Sequence, residues 1–279
     1  SNRLKSLSPR IETLRRSGAT VIPFKRIGDS RQAGAWGISP SLILWLIRNV
    51  RRFSLVHIQQ VWSAPSVVTS TMASRSSTAS LLSPHESLTR FDIEVTSGST
   101  IKRLAKLGLR HIILRKGGIV IFNSFLESSD SSLPPRIKSV VIPHPAVPEV
   151  SRGSARQYSR QSERVCGFLG RLHPKKNVEL LLDSMSHLDD THVLWIAGSG
   201  DASYEAELRA RSELLGISHR VRWFGLLDEG ERDEFLDSID LLIVPSHYES
   251  FGMVVAEACV HALPVLTSER IGMNSLLQR

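Results

Sequence analysis

Short apolar runs alternate with helix-length segments twice along this chain, and that alternation limits the fold more than any single residue does. In the first half, Ala19–Phe24, Ser54–Ile58, Ala79–Leu82, Gly118–Phe122 and Lys138–Ile142 read as strands. Helices are predicted between them over about 3–17, 40–52, 65–76 and 99–116. The pattern breaks at Pro143-His-Pro145, Pro148 and the Ser/Arg/Gln-rich stretch 151–163, which reads as a linker. It then restarts with strands at Val165–Leu169, His192–Ala197, Val221–Phe224, Asp240–Val244 and Pro264–Leu266. Helices are predicted over about 177–187, 202–215, 229–237 and 251–262. Runs this apolar suit strands covered on both faces, and strand–helix alternation implies parallel sheets. The expectation is therefore α/β: two Rossmann-like parallel-sheet domains facing a cleft, over residues 1–148 and 164–279, joined by 149–163.

With 279 residues the chain is long enough for two cores. Its net charge of +8 is unevenly spread, +13 over residues 1–150 and −5 over 151–279. A basic domain joined to an acidic one argues against a general nucleic-acid binder and fits one domain facing an anionic surface or acceptor. In the predicted helix over 99–116, Ile101, Leu104 and Ala105 share a face with basic residues elsewhere, which reads first as a solvated surface helix and second as one that touches an anionic membrane. The longest apolar run, Leu42–Ile47, is far below spanning length. No secretory leader opens the chain, so a cytoplasmic location is expected, with the inner face of the cell membrane as a further option. The two cysteines, Cys166 and Cys259, sit in apolar settings and read as small buried hydrophobes.

Chemistry concentrates near the C-terminus, in Glu249-Ser250-Phe251-Gly252-Met-Val-Val-Ala-Glu257, directly after the apolar run 240–245. One carboxylate lies before the predicted helix and one within it, about 12 Å apart if the rise is helical throughout. The helix N-terminus between them offers unpaired N–H groups and a positive dipole end. Hydroxyls at both ends of a ligand with phosphates in the middle would match, as in a nucleoside diphosphate sugar. Two more strand exits are rich in glycine: Gly167-Phe-Leu-Gly170-Arg171-Leu-His-Pro-Lys-Lys176, and Ile196-Ala-Gly198-Ser-Gly200. Both place glycine backbone at the carboxyl ends of strands, where open α/β sheets bind ligands, and the first adds the cations Arg171 and Lys176.

The Glu-x7-Glu spacing with Ser-Phe-Gly after the first Glu resembles the signature of retaining glycosyltransferases of family 4, a GT-B family of the glycosyl transferases group 1 type. The Gly-Arg-Leu at 170–172 followed by Lys176, and the Gly-x-Gly at 198–200, match the same family in the same order. The resemblance runs through nearly the whole chain and is strongest over 165–268. It implies sugar transfer from a nucleoside diphosphate sugar to a hydroxyl acceptor with retention at the anomeric carbon. Arg171 and Lys176 would hold the donor's pyrophosphate in place of a divalent metal, so neither cofactor nor metal is expected. Glu257 would bind ribose hydroxyls and Glu249 the donor sugar, while Leu226 and Leu227 would line the base. The acceptor could be a glycan, a lipid-linked saccharide or a small molecule.

The first half carries Ser83-Pro-His85-Glu86, similar to the family's Pro-His-Gly loop, whose His reaches toward the donor sugar. Glu86 stands in the usual Gly position. Val56-His57-Ile-Gln59 retains one His of a His-x-His strand end, and Ile142-Pro-His-Pro145 stands where the family has Ile-Pro-Asn-Gly. The family's opening strand and Gly-Gly loop have no counterpart, and the chain stops soon after Pro264–Ser268, so it is expected to be an internal fragment of a longer enzyme. A nucleotide-sugar-binding module without catalysis, a sugar-nucleotide epimerase of the same architecture and a basic partner-binding protein are the competing readings.

Overall fold

The computed structural model describes residues 11–25, 27, 38–95, 104, 106–108, 110, 113–114, 118–144 and 163–277. Contacts group the chain into two compact units, Ser1–Leu82 with Leu104–Gly118, and Ser83–Arg103 with Ile119–Arg279. The expected linker over 149–163 lies outside the described residues except for residue 163, and so does most of the predicted helix over 99–116.

The first unit holds helix α1 (Pro40–Asn49), strand β1 (Leu55–Gln59), helix α2 (Ala64–Ser74) and strand β2 (Ala79–Ser83). Both helices start at a serine whose side chain accepts a hydrogen bond from an amide of the first turn, and both have a proline in that turn. This is the start expected where an orphan N–H needs a partner and a missing one costs nothing. The predicted strand at Ala19–Phe24 is not formed, and that segment is irregular. Pro23 within it has no N–H to give to a ladder, so the run's β-branched residues do not make it a strand.

The second unit contains β3 (Ile119–Phe122), a short helix α3 (Phe125–Asp130) and β4 (Lys138–Val141), with β3 and β4 paired in parallel. It then builds β5 (Arg164–Leu169), α4 (Val178–Met185), β6 (His192–Ala197), α5 (Ala202–Leu214), β7 (Val221–Gly225), α6 (Glu229–Ser238), β8 (Leu241–Val244), α7 (Met253–Val260), β9 (Val265–Thr267) and α8 (Asn274–Leu277). Strands β5 to β9 form one parallel sheet in the order β7-β6-β5-β8-β9.

Period two explains why this sheet buries both faces. Along β5 and β6, Val165, Val193 and Ala197 join one core with Leu242, Val255 and Ala258. Their neighbours Cys166, Phe168, Leu194 and Ile196 join the opposite core with Val178, Leu182 and Leu208. Strand ends and helix starts follow local chemistry: Asp201 caps α5, and Asp228 with Glu231 forms a reciprocal capping box on α6. Cys166 is buried as expected, but Cys259 is exposed. It lies on the solvent side of α7, whose buried face is Val255, Ala256 and Ala258. Among the described residues, no helix is long and apolar enough to cross a membrane.

Two parallel-sheet α/β domains of this kind make the GT-B fold. Within the five-stranded sheet the strand order reverses at β5, with β6 and β7 on one side and β8 and β9 on the other. Loops leaving β5 and β8 at their carboxyl ends therefore part, and the crevice between them is where open α/β sheets take ligands.

Candidate functional site

A cavity of about 590 Å³ opens at that reversal, lined by the loops after β5, β6, β7 and β8 and by the first turn of α7. All its residues belong to the second unit. Its volume lies within the range of small-molecule sites.

The β5 exit supplies Gly170, Arg171 and Lys176, and the β6 exit supplies Gly198 and Ser199. Gly198 has φ +135°, and a Cβ there would come within 1.8 Å of the Gly170 carbonyl oxygen. Only glycine lets these two loops touch, and their contact forms one wall of the cavity. Lys176 ends a 3-10 turn, Pro174–Lys176, after which Asn177 adopts φ 56° and the chain enters α4. The β7 exit adds Leu226 and Leu227. Leu226 is 79% exposed, so an apolar group here faces solvent instead of core.

Glu249, Ser250, Phe251 and Gly252 follow β8 and border the cavity, as does Glu257 one turn into α7. The helix begins at Met253 instead of Phe251, with Gly252 at φ 94° as N-cap and no side chain capping it. The stretch from Glu249 to Gly252 is therefore not helical, and the span derived from a continuous helical rise does not apply. What the early break supplies is a bare helix N-terminus at the cavity wall, the arrangement suited to an anion.

Both carboxylates already have cationic partners. Lys176 Nζ donates to Glu249 Oε1, which also accepts from Ser246 Oγ at 2.8 Å. Arg232 Nη2 on α6 donates to Glu257 Oε1 at 3.1 Å. Burial pushes the Glu257 carboxyl above the usual range, partly countered by Arg232. A ligand hydroxyl approaching Glu257 thus meets a carboxylate poor in water and sharing one cation.

Arg171, Lys176, Glu249, Glu257, Ser250, Phe251, Gly252, Gly170, Gly198, Leu226 and Leu227 all line this one cavity. Gly200 and His85 do not. Gly200 is held against the β5 exit, where a Cβ would meet the Leu172 carbonyl oxygen at 1.9 Å, and its N–H donates to Glu205. His85 lies one layer away: its ring stacks on His144 at 5.8 Å with planes 2° apart, and His144 meets Phe251 edge-on at 5.4 Å. His144, whose imidazole is kept neutral-leaning by burial, is the histidine that lines the cavity. His57 is exposed, in the first unit, with Gln59 Nε2 3.2 Å from its ring.

Arg232 and His144 were not singled out as site residues from the sequence. Arg232 is a lone cation in the acidic stretch Asp228–Glu234, a weak signal that something acidic faces it. His144 sat inside a motif already seen to depart from the family's Asn. Among the described residues, no group of three or more His, Cys, Asp or Glu side chains is arranged to hold a metal ion.

Residues 154–278 match the family model described as "Glycosyl transferases group 1". An uncharacterized glycosyltransferase of Methanocaldococcus jannaschii, MJ1607, is 32% identical over 122 residues, covering 43% of this chain and 30% of that protein. A D-inositol 3-phosphate glycosyltransferase of Mycobacterium marinum is 32% identical over 135 residues, covering 45% of this chain and 29% of that protein. The matched region is thus less than a third of the length of these curated relatives. In three dimensions the chain is similar to Anabaena Alr3699/HepE in complex with UDP and glucose, with a TM-score of 0.68 at 17% identity, over 95% of this chain and 71% of that one. Sucrose-phosphate synthase from Thermosynechococcus elongatus gives a TM-score of 0.62 at 20% identity, over 85% of this chain and 64% of that one. Residues 154–278 are thus similar to the glycosyl transferases group 1 family, and the fold is that of the solved neighbours.

Proposed function

We propose that the protein transfers a sugar from a nucleoside diphosphate sugar to a hydroxyl acceptor, with retention of anomeric configuration. One observation carries this: Arg171, Lys176, Glu249 and Glu257, from loops after two different strands and from a helix, converge on a single cavity. Cations there neutralise the charge that grows on the leaving diphosphate, aided by the bare N-terminus of α7. They do so without a divalent metal. Leu226 and Leu227 offer apolar cover to a base, and Glu257 accepts from ribose hydroxyls. Glu249 accepts from hydroxyls of the donor sugar while exchanging its bond to Lys176 for them. A solved neighbour of the same fold was crystallised with UDP and glucose, which makes UDP-glucose the first donor to try.

The Lys176→Ala and Glu257→Gln variants test the assignment. Losing a cation that acts on the developing charge should lower kcat by about 10²-fold or more with KM less affected. Glu257→Gln should instead raise the Kd for UDP, by roughly tenfold, because it weakens hydrogen bonds already made in the ground state. Calorimetric titration with UDP and UDP-release kinetics with UDP-glucose separate the two effects. Binding and turnover that ignore both substitutions would reject the assignment.

A further inference from the structure

Glu86 stands where the resembling family carries glycine, and here that exchange creates a contact. His85 and Glu86 are consecutive non-glycine residues with φ 47° and 77°. Side chains rarely tolerate that backbone region, and such a pair persists only where its surroundings hold it. Glu127, fully buried on α3, accepts the Glu86 N–H at 2.5 Å on one oxygen and the Asn123 N–H at 2.8 Å on the other. Asn123 in turn lies with its side-chain Nδ2 3.2 Å from His85 Nδ1. Thr89 donates its N–H and its hydroxyl to the Glu86 carbonyl at 2.9 and 2.7 Å. The turn is thus held by its backbone, which leaves the Glu86 carboxylate available to reach outward.

It reaches Lys175. Lys175 Nζ donates to both Glu86 oxygens at 2.5 Å, with both side chains less than a fifth exposed. The same ammonium sits 5.8 Å from the Phe91 ring and 5.7 Å from the Tyr248 ring. Its neighbour Lys176 pairs instead with Glu249, which lines the cavity. Two adjacent lysines on one 3-10 turn are therefore each anchored by a different acid.

We propose that the Glu86–Lys175 ion pair is a positioning device: it fixes the turn that carries His85 and the turn that presents Lys176 in one register beside the donor site. Neither residue lines the cavity, so the pair acts on transfer through its neighbours and not by touching the nucleotide. A mostly buried pair suits this use, since removing one partner leaves an uncompensated charge and the turns must move to hydrate it. A charge exchange keeps the pair and reverses its sense. This inference rests on the glycosyl-transfer reading for its kinetic consequence, whereas the pairing itself has a readout free of that reading.

The full chain is compared with Glu86→Lys, Lys175→Glu, the double exchange and the milder Glu86→Gln. UDP affinity by calorimetry, UDP-glucose turnover and backbone hydrogen exchange over 83–90 and 172–178 are measured on each, with exchange in β5 as the check on folding. Each single reversal should lower kcat by about tenfold or more while the UDP Kd shifts by less than about threefold. Each should also speed exchange in both segments, and the double exchange should recover most of the loss. Glu86→Gln should fall between wild type and Glu86→Lys. A double variant no better than the worse single, or exchange over 83–90 that ignores Lys175→Glu, would overturn the proposal. Absence of UDP-glucose turnover in the wild type would count against that donor and leave exchange to decide the pairing.

Discussion

Gly198→Ala probes the wall of the cavity where two strand exits touch. A Cβ at residue 198 would lie 1.8 Å from the Gly170 carbonyl oxygen, and φ is +135°. Neither side can yield cheaply, because the obstacle is backbone and the two exits are tied together by Gly170 N–H to Ala197 O at 3.0 Å. The register Leu169↔Ala197 lies directly behind them. Forcing a methyl into such a contact costs ~1–3 kcal/mol as overpacking. The unfavourable φ adds ~1–2 kcal/mol, for ~3 kcal/mol together. For a chain of 279 residues that corresponds to a fall in Tm of roughly 5 °C. Both loops line the cavity, so their separation should also weaken UDP binding by about tenfold or more. Gly216→Ala is the internal control: φ there is +70°, but nothing lies within 4 Å of the added methyl. Thermal melts by circular dichroism and calorimetric UDP titration are run on both. If Gly198→Ala loses no more stability than Gly216→Ala and binds UDP like wild type, the two loops do not build the site as described.

Glu127→Gln should flatten the pH dependence of stability. Burial raises the Glu127 carboxyl above its ordinary 4.5 despite two N–H donors, so the folded state holds this proton more tightly than the unfolded chain does. The associated stability is complete below about pH 4.5 and is lost as pH rises through the raised value, with Glu86 and Glu257 acting in the same direction. Melts from acid to neutral pH should therefore fall more steeply for wild type than for the variant, and equal slopes would refute this. Leu226→Ala should weaken UDP binding about threefold while changing stability by less than about 0.5 kcal/mol, because the side chain is mostly exposed at the cavity rim. A melt shifted as far as a core substitution would contradict that placement. Thiol titration should find Cys259 reactive in the native protein and Cys166 only after denaturation, since one is exposed and the other buried. Two thiols reacting at equal rates natively would be inconsistent with the described core.

The pattern of residues was enough to place the strands of the five-stranded sheet. Strands β5, β6 and β8 are short apolar runs whose residues alternate between the two cores, and α5 and α6 start at capping aspartates, all of which are local signals. Arg171, Lys176, Glu249 and Glu257 were legible because they sit at fixed distances from strand ends, and a parallel sheet brings its carboxyl ends to one edge. Where local signals conflicted, the reading failed: Ala19–Phe24 looked like a strand until Pro23 left the ladder short of a donor, and Cys259 sat in an apolar sequence on the outward side of its helix.

What only the tertiary structure decided are the pairings between segments distant in sequence. Nothing near Arg232 says that it meets Glu257, and nothing near Glu86 says that its carboxylate reaches Lys175. Likewise the histidine lining the cavity is His144 and not His85, because the His144 ring stacks on His85 and meets Phe251 edge-on. Periodicity along a chain reports which face of an element is buried. Which side chain stands opposite depends on strand order and loop path, and these are settled when the sheet closes around its core.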